Sequence, residues 1–106
     1  MTFVDKVCNG ARYYNRDDYA EAFHAVLQDL RSTTAEKGFD YHTHASVNRA
    51  ECFGHGTCNG MPTQADCTSC MDFAYDEIRK VCPFSVGAQL QLRDCRFSYE
   101  QYSFME

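Results

Sequence analysis

The chain has 106 residues, 44% of them hydrophobic and 24% charged, with a formal net charge of -5. That is the composition of a globular protein near the commonest domain length, so residues 1–106 are expected to form a single domain. An acidic chain without a Lys/Arg cluster argues against nucleic-acid binding, which rests on neutralising phosphates, and against simple attraction to anionic lipid; no apolar run approaches bilayer-spanning length, so membrane insertion is not expected.

The N-terminal MTFVDKV lacks the charged and apolar regions of a signal peptide. The signal peptide is therefore absent from this chain, which is read as a mature form, and a case for secretion has to come from the cysteines. Next, Phe23, Val26, Leu27 and Leu30 recur at i, i+3, i+4 and i+7, which predicts a helix with one buried face. Asp17 or Asp18 can cap its start, and Gly38 is its expected stop. The following stretch to Cys58 alternates like a strand in pieces, interrupted by glycines. Thr63 and Asp66 have capping-box spacing, with Asp in place of the usual Glu or Gln. Cys67, Cys70, Met71, Ala74, Ile78 and Val81 continue at helical spacing until Pro83 ends the run. Residues 86–104 read as two strands joined near Asp94. Helices before late strands, in non-alternating order, suggest an α+β domain on an antiparallel sheet.

Seven cysteines carry the strongest signal. Cys58, Cys67 and Cys70 with His55 offer four zinc ligands, but structural zinc usually takes two short ligand pairs, and Cys8, Cys82 and Cys95 would be left unexplained. CTSC at residues 67–70 opens a helix, as redox motifs do, yet the βαβ context of such motifs is missing. A disulfide framework uses the most cysteines and is common in small secreted domains. Spacing alone does not settle the pairing. It does put Cys67 and Cys70 one turn apart on one helical face, so that each can reach a different neighbour.

The C-x8-C-x2-C run CNGMPTQADCTSC, the helix that follows it to Cys82, and the ending GAQLQLRDCRFSYEQYSF resemble the plant ginkgobilobin-type cysteine-rich domain. This stress/antifungal domain is found in secreted seed proteins, plasmodesmal proteins and the ectodomains of cysteine-rich receptor-like kinases. YNRDDYAEAFHAVLQDLR and GFDY fall where the family has its first helix and the strand after it. The resemblance implies two helices packed on an antiparallel sheet of about five strands, with bridges Cys8–Cys82, Cys58–Cys67 and Cys70–Cys95. Cys52 is then the odd thiol, either buried or exposed enough to join two chains. A monomer is expected, with a dimer through Cys52 as the alternative.

The resemblance further implies a secreted, apoplastic, mannose-binding lectin with an antifungal role and no cofactor. Its glycan partner, mannose or mannan, would be held by Asn9, by Glu100 and by the residue at position 89. The family has arginine there and this chain has Gln89. A carboxylate accepts from vicinal sugar hydroxyls and an amide both accepts and donates, whereas the loss of arginine removes a charged donor fork. Arg93 and Arg12 are the candidate substitutes. By composition alone, Asn9 in CNG reads as a turn residue, Glu100 as a solvated strand residue, and Tyr99, Tyr102 and Phe104 as sheet surface or core. His42 and His44 alternate on one face, but two ligands are too few for a metal site, so no metal is expected. No catalytic constellation appears, and an enzyme is not expected. The other readings are a protein-interaction module without sugar binding, and an extracellular thiol sensor built on Cys52 or on a labile bridge.

Overall fold

The computed structural model describes residues 3–14, 17–60 and 63–106; Met61 and Pro62 of the cysteine motif lie outside them. Strand β1 (Phe3–Cys8) leads to helix α1 (Asp18–Thr33), a 3-10 turn (Thr34–Lys37), strands β2 (Asp40–Val47) and β3 (Ala50–Cys58), helix α2 (Gln64–Val81), and strands β4 (Ala88–Leu92) and β5 (Cys95–Glu100). The strands form one antiparallel sheet in the order β1-β4-β5-β3-β2. The expected α+β architecture with two helices and five strands is the observed one.

Both helices lie on one face of this sheet. Phe23, Val26, Leu27 and Leu30 of α1, and Cys67, Cys70, Met71, Ala74 and Ile78 of α2, are buried against Leu90, Leu92, Phe97 and Tyr99. Thr63 caps α2 as its spacing predicts, its hydroxyl accepting from the Asp66 amide at 3.0 Å. At α1, Asp17 occupies the N-cap position, its carbonyl accepting from the Ala20 amide at 3.0 Å, but its side chain does not cap the first turn. Its carboxylate instead accepts from the Tyr14 amide at 2.8 Å. The α-helix gives way at Thr34 to the 3-10 turn, and Gly38, at φ 73°, ends that turn in the left-handed conformation.

The glycines between residues 38 and 58 do not break the strand. Gly54 and Gly56 lie inside β3, where the helical layer comes closest. A Cβ at Gly54 would stand 2.4 Å from Val26 Cγ1, and one at Gly56 would stand 2.7 Å from Thr34 Oγ1. Glycine in a strand marks such close approaches. Overpacking costs about 1–3 kcal/mol, so Gly54→Ala should lower stability by that amount in a urea melt.

The bridges are Cys8–Cys82, Cys58–Cys67 and Cys70–Cys95, as the resemblance implies. They span 74, 9 and 25 residues of sequence, and the chain-entropy model assigns them roughly 4.5, 2.7 and 3.5 kcal/mol against the unfolded state. Neither the CTSC pair nor the four-ligand zinc set forms. Cys67 and Cys70 bond different partners, and His55 sits on the sheet face opposite the helices. Replacing Cys8 and Cys82 together by Ser should cost about 4 kcal/mol, read as a lower urea midpoint.

Candidate functional site

Strand alternation aims every second side chain of the sheet away from the helices. Register arranges those side chains in rows running across the sheet. One row joins His42, His55, Ser98, Gln89 and Val7; the next joins Asp40, Thr57, Arg96, Gln91 and Asp5. A third runs from His44 through Phe53 to Glu100.

Asn9 and Glu100 meet at the end of the third row. The Asn9 amide donates to the Gly87 carbonyl at 2.8 Å, and the Glu100 carboxylate lies directly against Gly87. Any Cβ at position 87 would overlap Glu100 Oε1, at 1.9 Å. The Asn9 side-chain oxygen is occupied, accepting from the Ala11 amide at 3.0 Å in an Asx-type turn. Its turn role and its place beside Glu100 thus coexist. Burial pushes the Glu100 carboxyl up from the usual carboxylate range, while the neighbouring Asn9 and Tyr102 side chains pull it down by less. Glu100 Oε1 is buried with no hydrogen-bond partner among the described residues.

Gln89 stands one row away, opposite Ser98. The two candidate arginines separate. Arg93 sits at the β4–β5 turn, largely exposed and paired with Asp94 at 3.4 Å. With Glu100 near the other end of the hairpin, the strand rise puts roughly 20 Å between them. Arg12 shares a shallow cleft of about 270 Å³ with Asn9, Gly10, Pro83 and Ser85, its backbone bridged to Ser85.

The guanidinium beside Gln89 belongs to a residue the sequence reading passed over. Arg96 Nη2 donates to Gln89 Oε1 at 2.8 Å, and Nη1 donates to Gln91 Oε1 at 3.3 Å. The signal was available, since a tight turn at Arg93-Asp94 pairs Gln91 with Arg96. Arg96 also donates to Glu106 Oε2 at 2.7 Å, because the C-terminal segment folds back across the outer face. Glu106 Oε1 accepts from Ser98 Oγ at 2.9 Å and lies 2.7 Å from His55 Nδ1. Burial works against the charge on Glu106, but the bonds from Arg96, His55 and Ser98 outweigh it and hold the carboxyl below its usual range.

Cys52 is buried and unpaired, with Tyr19 Oη 3.5 Å from its sulfur. Burial pushes its thiol up to about 12, against which the Tyr19 bond works only partly. At neutral pH it is a thiol and not the reactive thiolate, and an interchain bridge through it would require local unfolding.

Fold and surface together define a disulfide-stapled two-layer α+β domain whose open sheet face carries polar and charged side chains. The profile of the salt stress response/antifungal family matches residues 7–102, and the chain belongs to that family. It is 36% identical over 104 residues to the antifungal protein ginkbilobin-2 of Ginkgo biloba, covering 96% of this chain and 78% of that protein. It is 34% identical over 104 residues to an antifungal ginkbilobin-like protein of Picea abies, covering 96% and 95%. The fold superposes with a TM-score of 0.90 on the tandem DUF26 ectodomain of the Arabidopsis thaliana cysteine-rich receptor-like protein PDLP8, at 24% identity. That match covers 98% of this chain and 50% of the tandem ectodomain. Among the described residues no helix is long and apolar enough to cross a membrane.

The position of Glu100 has a consequence for stability. A carboxyl whose pKa is raised by folding favours the folded state fully below its unfolded pKa, and loses that contribution as pH rises through the folded pKa. Glu100→Gln should therefore raise the urea midpoint at pH 7, with the gain vanishing as pH falls below the ordinary carboxylate range, where Glu100 is protonated in both states.

Proposed function

We propose that the chain is a secreted, non-catalytic carbohydrate-binding defence domain that takes mannose-type glycans of fungal walls. The observation that carries this reading is Glu100 Oε1, a buried carboxylate oxygen with no partner among the described residues, set beside Asn9 on an open face. An acceptor in that state favours a ligand rich in hydroxyl donors, because each unmade bond at a buried acceptor costs about 1–3 kcal/mol. Gln89 keeps an amide NH2 as donor where the family has arginine, its carbonyl oxygen already accepting from Arg96. Arg96, hydrogen-bonded to Gln89, brings the missing positive charge to the same neighbourhood from β5. Arg12 lines the same cleft as Asn9 and is a second candidate source of positive charge there. The antifungal relatives support the defence role, and the three bridges suit an oxidising, extracellular compartment.

A second reading, a protein-interaction module, is favoured by strand β1. It is one of the two open edges of the sheet, and its Phe3, Val4 and Val7 are 46%, 56% and 55% exposed. An apolar open edge is a template for pairing with another chain.

NMR titration of the labelled protein with mannose and a short mannan oligosaccharide separates the two. Sugar binding predicts shifts clustered at Asn9, Gln89, Arg96 and Glu100 that disappear in Glu100→Ala. No shift at roughly 10 mM sugar, weaker than any useful affinity, would remove mannose and leave the interaction module.

A further inference from the structure

His55 was grouped in the sequence with three cysteines, and His42 with His44; the fold undoes both groupings. His55 and His42 are directly opposed across β3 and β2, and Asp40 lies two residues before His42 on the same face. One ligand atom from each of Asp40, His42 and His55 falls within 4.8 Å of the other two. His44 is engaged elsewhere, stacked on Phe53 and 3.2 Å from Glu51.

The ring of His55 is held in one orientation. Its side chain is 5% exposed, its Nδ1 lies 2.7 Å from Glu106 Oε1, and its Nε2 lies 2.6 Å from Asp40 Oδ1. Glu106 Oε1 is itself positioned by Ser98 Oγ. A carboxylate on one ring nitrogen that leaves the other aimed at a ligand position is the arrangement that orients metal-binding histidines. A cation seated between His55 Nε2 and Asp40 Oδ1 would leave the Glu106 contact on the other ring nitrogen intact.

We propose that Asp40, His42 and His55 bind a divalent transition-metal ion, Zn²⁺ by the chemistry of the donors, with Glu106 orienting His55 from behind. Two imidazoles and one carboxylate suit zinc and its neighbours rather than calcium or magnesium, which take oxygen ligands. The rings of His42 and His55 stack with centroids 3.8 Å apart and 8° between their planes. Tetrahedral zinc needs its nitrogen ligands about 3.3 Å apart with lone pairs converging. His55 is locked, so exposed His42 is the ring that turns. Three protein ligands leave a fourth position for water or an oxygen ligand. A hollow of about 270 Å³ lined by His42, His44, Phe53 and Phe104 adjoins the site.

The test uses the full chain stripped with a chelator, titrated with Zn²⁺ at pH 7 against a chromophoric competitor. Imidazole ¹H–¹⁵N correlations are recorded in parallel. The expected result is one equivalent bound, with nitrogen shifts at His42 and His55 and none at His24 on α1. His42→Ala and Asp40→Asn, both at exposed positions, should each weaken binding by at least about tenfold, and Glu106→Gln by about 10- to 100-fold. Melting curves without metal establish that each variant folds. Absence of saturable binding up to roughly millimolar Zn²⁺, or affinity unchanged in both His42→Ala and Asp40→Asn, would overturn the site. His55 would then be an imidazole clamped between two carboxylates and nothing more.

Discussion

Cys58 and Cys95 face each other in register on adjacent strands, and neither bonds the other. Each is bonded to α2 instead, to Cys67 and Cys70, one helical turn apart. The first two turns of α2 are therefore pinned across the β3–β5 seam by two covalent links. A one-residue slip of either strand would turn its side chains to the other face and pull its cysteine away from the helix. The register of the central strands is thereby locked, and with it the rows of polar side chains on the opposite face. Close packing completes the constraint, because Gly54 and Gly56 let the helical layer rest directly on β3.

The outer face holds two carboxylates six residues apart with opposite electrostatic settings. Glu106 gathers donors from Arg96, Ser98 and His55 and stays ionised. Glu100, wedged against Gly87 with one oxygen unpartnered, is pushed toward its neutral form. The first is a satisfied structural link that closes the C-terminal segment onto the sheet. The second carries a standing cost in the folded protein, and such costs cluster at sites that serve something other than stability.

Much of the fold was legible locally. The i, i+3, i+4, i+7 spacing located α1, the Thr63 cap and Pro83 bounded α2, and the turn at Arg93-Asp94 located the last hairpin. The glycines of β3 misled for a physical reason. Glycine is a strand breaker by propensity, and only the helix above reveals that a side chain would not fit. The candidate site was legible in part. Asn9 and Glu100, 91 residues apart in sequence, do come together, while Arg93 sits at the far end of the hairpin and Arg96 takes its place beside Gln89. A residue at fixed sequence distance from a motif lies on either end of a hairpin depending on register, which no local pattern encodes.

Composition, periodicity and the cysteine spacing determined by themselves that this is an α+β domain stapled by disulfides, because those features depend on neighbours a few residues away. Which side chains share a face, which arginine stands beside Gln89, and that His42 meets His55 rather than His44 were decided only by tertiary structure. The reason is that cross-strand partners are set by pairing register and by the helices bolted over it, and these join residues far apart along the chain.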